Sequence, residues 1–238
     1  MAVPKRFIDP TEQNWLEGPR DRGFELMFAF KVLREFLRGF RGLHFVGPCI
    51  TVFGSARFKE GHRYYEAART MGHRLATEIG LAIMTGGGPG IMEAANRGAH
   101  DAGAPSIGYN ITLPMEQEPN AYSTPDLTFR FHYFAMRKMH FAMRANALVV
   151  FPGGMGTLDE LFELLALRQT DKAPPIPIVL YDRKFWEEVI NFDAMVKHGV
   201  ISAPDESLFT YAETPEQAWQ QCVDGGVMTR WLQEQHTT

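Results

Sequence analysis

The sequence predicts a Rossmann-like, doubly wound α/β fold: a mainly parallel sheet with helices on both faces, plus an N-terminal helical extension. Three observations carry this. From Cys49 onward, short apolar runs alternate with amphipathic helical stretches. Glycine-rich turns directly follow several of those runs. At 238 residues the chain suffices for one such domain with an appendage.

The elements follow in order. Residues 1 to about 23 are polar and without period. Phe24, Met27, Phe28, Val32, Phe36 and Phe40 then recur at helical spacing, with Leu33 and Leu37 beside them, predicting an amphipathic helix whose apolar face packs on the main domain or on a second subunit. Residues 1–46 are expected to form this extension and 47–238 the main α/β domain. Cys49–Phe53 reads as a buried strand, His62–Ile79 as a helix and Leu81–Met84 as a strand entered through Gly80. A helix over Ile91–Ala102 and a strand over Ser106–Leu113 precede a long polar loop, Pro114–Pro125. Next come a strand at Leu127–Phe131, a helix at Tyr133–Arg144 and a strong strand at Ala147–Phe151. Helix Thr157–Gln169, strand Ile176–Tyr181 and helix Lys184–Lys197 follow; a short strand at Leu208–Tyr211 and a helix from Pro215 close the chain.

Bulk properties narrow the function. Hydrophobic content of 45% with 22% charged residues is that of a soluble globular protein. A formal net charge of -4 argues against a nucleic-acid polymer as partner, which needs a basic face, but leaves room for a small anion in a local pocket. Cys49 and Cys222 lie in no CxxC or Cys/His pattern and read as reduced structural thiols. The histidines show no HxxxH or HxH spacing, so neither a metal nor another cofactor is expected. No signal peptide and no apolar run of about 18 residues is present, which predicts a cytoplasmic protein off the membrane.

The chemistry is expected where turns follow strands. Gly54-Ser55-Ala56-Arg57, Gly86–Gly90, Asn110–Pro114 and Pro152–Thr157 each do so, and in a parallel sheet they converge on one edge. Glycine there lets backbone N–H groups approach an anion, and the next helix adds its dipole. The strict GxGxxG pattern fails at both glycine runs, and no Gly-Lys pair exists to form a Walker A loop. Glu160, like Asp159 and Glu163, also suits the bland role of an acid in a first helical turn. Arg137 and Lys138 either snorkel to solvent or meet a phosphate or ribose.

The segment from Phe151 to Glu160 resembles the PGGxGTxxE signature of the LOG ("lonely guy") phosphoribohydrolases, often mislabelled lysine decarboxylases. The resemblance spans roughly Ile50 to Phe185 and includes Gly54–Arg57, Gly86–Ala94, Leu113–Gln117 with Pro119-Asn120, and Arg137-Lys138. It implies hydrolysis of the N-glycosidic bond of a nucleoside 5′-monophosphate, AMP or a cytokinin riboside 5′-monophosphate. Arg137 and Glu160 fall on the catalytic positions. Ser55, Gly87, Gly88, Glu116, Lys138, Gly153, Gly154, Gly156 and Thr157 fall on substrate-binding ones. A homodimer or larger homo-oligomer is also implied. The plant-type Met-His-Glu-Arg-Lys stretch reads Phe134-Ala135-Met136-Arg137-Lys138 here, and with the N-terminal helix this is similar to a longer bacterial branch. A non-catalytic nucleotide carrier is the alternative on the same fold. An NAD-dependent oxidoreductase is weakened by the failed fingerprint, and a lysine decarboxylase by the lack of any segment resembling a pyridoxal-phosphate lysine site.

Overall fold

A computed structural model describes residues 18, 21–42, 44, 46–47, 49–112 and 118–227. Seven strands form one sheet: β1 (Cys49–Phe53), β2 (Ala82–Thr85), β3 (Ser106–Ile111), β4 (Thr128–Phe131), β5 (Ala145–Val150), β6 (Ile178–Tyr181) and β7 (Thr210–Ala212). Their order is β4-β3-β2-β1-β5-β6-β7 and every pairing is parallel. The order reverses between β1 and β5, and in open α/β sheets such a reversal leaves a crevice at the C-terminal ends of the two strands.

The strands are apolar on both faces because helices cover both. Ile50, Val52, Ile83, Ala147, Val149 and Val179 point to one side, into a core shared with α2 (Arg63–Arg74), α3 (Ile91–Asp101) and α8 (Pro215–Asp224). Their neighbours Phe53, Met84, Leu148, Val150, Ile178 and Leu180 point to the other. There they meet α4 (Phe134–Arg144), α5 (Met155–Gln169), α6 (Arg183–Val189) and α7 (Phe192–Lys197). This period-two alternation with both faces buried is what a parallel sheet requires.

The expected long helix Lys184–Lys197 is two helices. Ile190 leaves the helical conformation, and the Asn191 side chain accepts the Ala194 N–H to start α7. The expected His62–Ile79 helix ends as α-helix at Arg74 and continues through a π-helical turn to Gly80. Strand β5 starts at Ala145 rather than Ala147, because α4 passes into it without a turn.

The N-terminal helix α1 (Arg22–Gly42) lies against α4. Phe28 meets Tyr133 edge-on at 5.0 Å, and Phe36 lies 5.4 Å from the His140 ring. Its apolar residues are shared between two faces. Phe28, Val32 and Phe36 turn toward the domain, whereas Leu26 (74% exposed), Phe30 (65%), Leu33 and Leu37 form an open ridge. No helix among the described residues is long and apolar enough to cross a membrane. Cys49 and Cys222 are both buried, and neither is in a disulfide.

Helices α2 and α3 touch backbone to backbone. A Cβ on Gly98 would collide with the Arg69 carbonyl and stand 2.7 Å from the His73 nitrogen; one on Gly72 would stand 2.5 Å from the Ala95 carbonyl oxygen. Alanine gains about 1 kcal/mol over glycine in helix propensity, whereas overpacking against rigid backbone costs about 1–3 kcal/mol. Gly98→Ala is therefore expected to be net destabilising, read as a lower urea midpoint at unchanged slope. A raised midpoint would show that the two helices can separate freely.

Candidate functional site

The site forms where the sheet order reverses. The Ser55 N–H donates to the Pro152 carbonyl at 3.0 Å, joining the turns after β1 and β5. The Ser55 carbonyl accepts the Ile91 N–H at 3.0 Å, tying the start of α3 to the same place. Gly90, at φ 73°, permits this approach, since a Cβ there would run into the Ser55 carbonyl.

The turn after β5 leads into α5 with its first N–H groups bare. Gly154 is the N-cap, no side chain caps the helix, and no acid lies in its first turn. The positive end of the α5 dipole and its orphan donors are thus left for an external anion. Thr157 is buried, and Gly153 packs so closely against it that a Cβ would stand 2.6 Å from Thr157 Cβ. Around Gly154 and Gly156 the space is open.

Helix α5 begins at Met155, two residues before the expected start, which places Glu160 in its second turn. A dipole-stabilising role for this acid is correspondingly weak. Glu160 instead accepts a hydrogen bond from Arg137 Nη2 at 2.8 Å, and the two side chains are only 11% and 9% exposed. Arg137 does not snorkel to solvent. Its guanidinium lies 5.2 Å from the Phe134 ring centroid, and a Cβ on Gly86 would stand 3.8 Å from Nη1. Arg137 thereby links α4, α5 and the glycine turn after β2, while its Nε is buried without a hydrogen-bond partner. Burial pushes the Glu160 carboxyl up to about 7, against the pull of Arg137.

Lys138, the next residue, is directed elsewhere. It pairs with Asp159 at 3.1 Å and Glu163 at 3.4 Å on the outer side of α5. Burial pulls its pKa down, but these two carboxylates outweigh that and hold the ammonium above its ordinary value. Glu116 lies outside the described residues. Ser55 Oγ accepts the Arg57 N–H at 3.1 Å.

A polar network holds Gly87 and Gly88 in place; Asn110 and Asn120 were singled out from sequence, whereas its other members, Thr85 and Asn96, were not. Thr85 Oγ1 accepts the Gly87 N–H at 2.9 Å. Asn110 Nδ2 and the Asn120 N–H both donate to the Gly87 carbonyl, and Asn120 Nδ2 donates to that of Gly88. Asn96, fully buried in α3, accepts from both Thr85 and Asn120. The available signal was Asn96 itself, an amide on the apolar stripe Ile91, Ala94, Ala95, Ala99. Among the described residues no cluster of His, Cys, Asp or Glu could hold a metal ion.

Comparison with known proteins gives a consistent picture. A family model described as "Possible lysine decarboxylase" matches residues 92–222. The chain is 27% identical over 188 residues to a rice (Oryza sativa subsp. japonica) probable cytokinin riboside 5′-monophosphate phosphoribohydrolase, covering 77% of this chain and 78% of that protein. It is 28% identical over 175 residues to an Arabidopsis thaliana cytokinin riboside 5′-monophosphate phosphoribohydrolase, covering 71% and 78%. Among solved structures, the molybdenum cofactor carrier protein of Chlamydomonas reinhardtii superposes with TM-score 0.55 at 23% identity, over 75% of this chain and 98% of that one. The molybdenum cofactor binding protein of Rippkaea orientalis does so with TM-score 0.53 at 21% identity, over 75% and 94%. These last two share the fold.

The contrast between neighbouring glycines tests the turn. Gly153→Ala forces Thr157 aside and is expected to weaken binding of a phosphate anion at the start of α5, at a stability cost of about 1–3 kcal/mol. Gly154→Ala meets nothing within 4 Å and is expected to melt like the wild type. Equal melting and equal binding in both variants would remove the Gly153–Thr157 contact from the site.

Proposed function

The chain belongs to the family described as possible lysine decarboxylase, and from that premise we propose that it hydrolyses the N-glycosidic bond of nucleoside 5′-monophosphates. The products are the free base and ribose 5-phosphate. One observation carries the reading: a buried Arg137–Glu160 pair stands beside the uncapped start of α5 at the reversal of the sheet. The curated relatives, named as phosphoribohydrolases, support it.

In this reading the N–H groups at Met155, Gly156 and Thr157 take the 5′-phosphate, with the Thr157 hydroxyl. Phosphate binding supplies energy remote from the reacting carbon and orients it. As the C1′–N bond breaks, its electron pair leaves with the base and the sugar gains oxocarbenium character. The Glu160 carboxylate stabilises that charge and takes a proton from the water that adds to C1′. The departing base anion takes up a proton from solvent, and loss of the Glu160 proton to solvent restores the carboxylate. Arg137 holds Glu160 in place, and its unpaired Nε is aimed at a ribose or phosphate oxygen. Ser55 and the Gly87-Gly88 turn border the nucleotide. Lys138 holds Asp159 and Glu163 away from the pocket, and Glu116 completes the substrate contacts. The open ridge of α1 supports the homo-oligomer as part of the same proposal.

A carboxyl with its pKa raised to about 7 becomes the reactive carboxylate only above that pH. kcat/KM for AMP should therefore rise through pH 7 and level off above it. A falling limb there would assign Glu160 the opposite role, proton donor to the base. Glu160→Gln is expected to reduce adenine release from AMP by about 10²–10⁴-fold, the range for acid–base catalysis, with the far-UV spectrum unchanged. Undiminished release in a folded Glu160→Gln protein would exclude the mechanism. AMP binding without adenine from the wild type would favour a carrier, the role named for the Chlamydomonas neighbour.

The folding equilibrium gives a second readout. The acid's pKa is raised in the fold, so Glu160 destabilises progressively as pH rises from its unfolded value through about 7. Glu160→Gln should accordingly gain in melting temperature relative to wild type on going from pH 5 to pH 8. A constant difference across that window would mean that the folded carboxyl titrates at its ordinary value.

A further inference from the structure

Away from the crevice, α1 and the end of β4 enclose a cavity of about 620 Å³ lined by Lys31, Arg34, Arg38, Arg130 and His132, with Glu35 and Tyr133. Lys31, Arg34 and Arg38 fall at i, i+3 and i+7, on one stripe of α1. Arg130 reaches the same cavity from β4. Four cations therefore share one concave space. None of them makes an ion pair or hydrogen bond among the described residues, and all four are exposed.

The single carboxylate in the cavity is already engaged. Glu35 Oε1 accepts the His132 N–H at 2.9 Å and the Tyr133 N–H at 3.4 Å, and Oε2 lies 3.0 Å from His132 Nδ1. Its side chain is largely buried. Glu35 thus holds α1 to the start of α4, which leaves the four cations without a carboxylate of their own. Like charges so gathered repel one another, and the contacts of α1 to α4 do not use them: these run through Phe28, Glu35, Phe36, Gly39 and Phe40.

We propose that this cavity is a second anion site, taking a small phosphate-type ligand with at least two negative charges. Guanidinium forks match phosphate oxygens in pairs, and three of the four cations are arginines. The volume lies in the range of small-molecule sites, about 300–1,000 Å³. A nucleic-acid polymer fits less well, because the chain as a whole carries a net charge of -4. The site is independent of the proposed hydrolase reaction, since it shares no residue with the crevice.

The test uses inorganic tripolyphosphate on the full chain, by calorimetric titration, with sodium chloride at matched ionic strength as the control. Saturable binding tighter than about 1 mM is expected, weakened at least tenfold in Arg38→Gln/Arg130→Gln. The charge-preserving Arg38→Lys/Arg130→Lys protein should bind within about threefold of wild type. Relief of repulsion should leave the glutamine variant melting no lower than wild type. The proposal is overturned if the glutamine variant titrates like wild type, if sodium chloride reproduces the heat, or if the glutamine variant melts lower, which would make the cations structural. Tighter competing binding by a short oligodeoxynucleotide or a polyglutamate peptide would overturn the small-anion assignment.

Discussion

A guanidinium and a carboxylate, both about nine-tenths out of water, face each other across 2.8 Å, and much of the molecule is arranged around keeping them there. Taking two charges out of water costs several kcal/mol per ion, and removing one partner of such a pair typically costs about 3–5 kcal/mol. The interaction is therefore a weak source of stability and a strong constraint on arrangement. Glu160 comes from α5 and Arg137 from α4, so the pair fixes the relation between the helices on either side of β5. Burial prevails over the nearby cation and leaves Glu160 with its pKa near neutrality. A group so placed can exchange a proton at ordinary pH, which an exposed glutamate does rarely.

The surroundings of the pair are built from close approach. Gly54, Gly86, Gly90 and Gly153 each stand where a Cβ would meet a neighbouring side chain or backbone. The approaches at Gly54 and Gly90 draw the turns after β1 and β2 together, and the Ser55–Pro152 hydrogen bond adds the turn after β5. Gly87 adds a positive φ of 68°, and the Thr85–Asn96–Asn110–Asn120 network satisfies the main-chain groups that its turn exposes. The rigidity of this edge rests on polar groups that satisfy one another inside an apolar domain.

Much of the fold was legible in the sequence because the strands are buried on both faces and read as continuous apolar runs. Cys49–Phe53 was delimited to the residue for that reason. The turns after β2 and β5 were legible as glycine clusters and that after β1 by Gly54, and their convergence followed from a parallel sheet alone. The ends of elements were harder. Helix α5 starts at Met155 because Gly154 takes the N-cap position with no side-chain cap to announce it. That two-residue difference is what separates a dipole acid from a buried partner of Arg137. Nor could Arg137 be told from a snorkelling cation: local sequence does not reveal that the residue 23 positions on will meet it. The two-faced character of α1 was equally hidden, because Phe and Leu at helical spacing do not say which stripe is covered.

The reversal of strand order also bears on how the chain is made. Strands β1 to β4 pair with neighbours in sequence, so they can assemble as they emerge. Until Ala145–Val150 is synthesised, however, β1 is an unprotected border, with Cys49–Phe53 offering open backbone groups and apolar side chains on both faces. Such a border invites pairing with other chains. Strand β5 closes it and in the same act brings the Pro152 turn to Ser55. The half-finished sheet thus keeps an adhesive border until the two turns of the crevice meet.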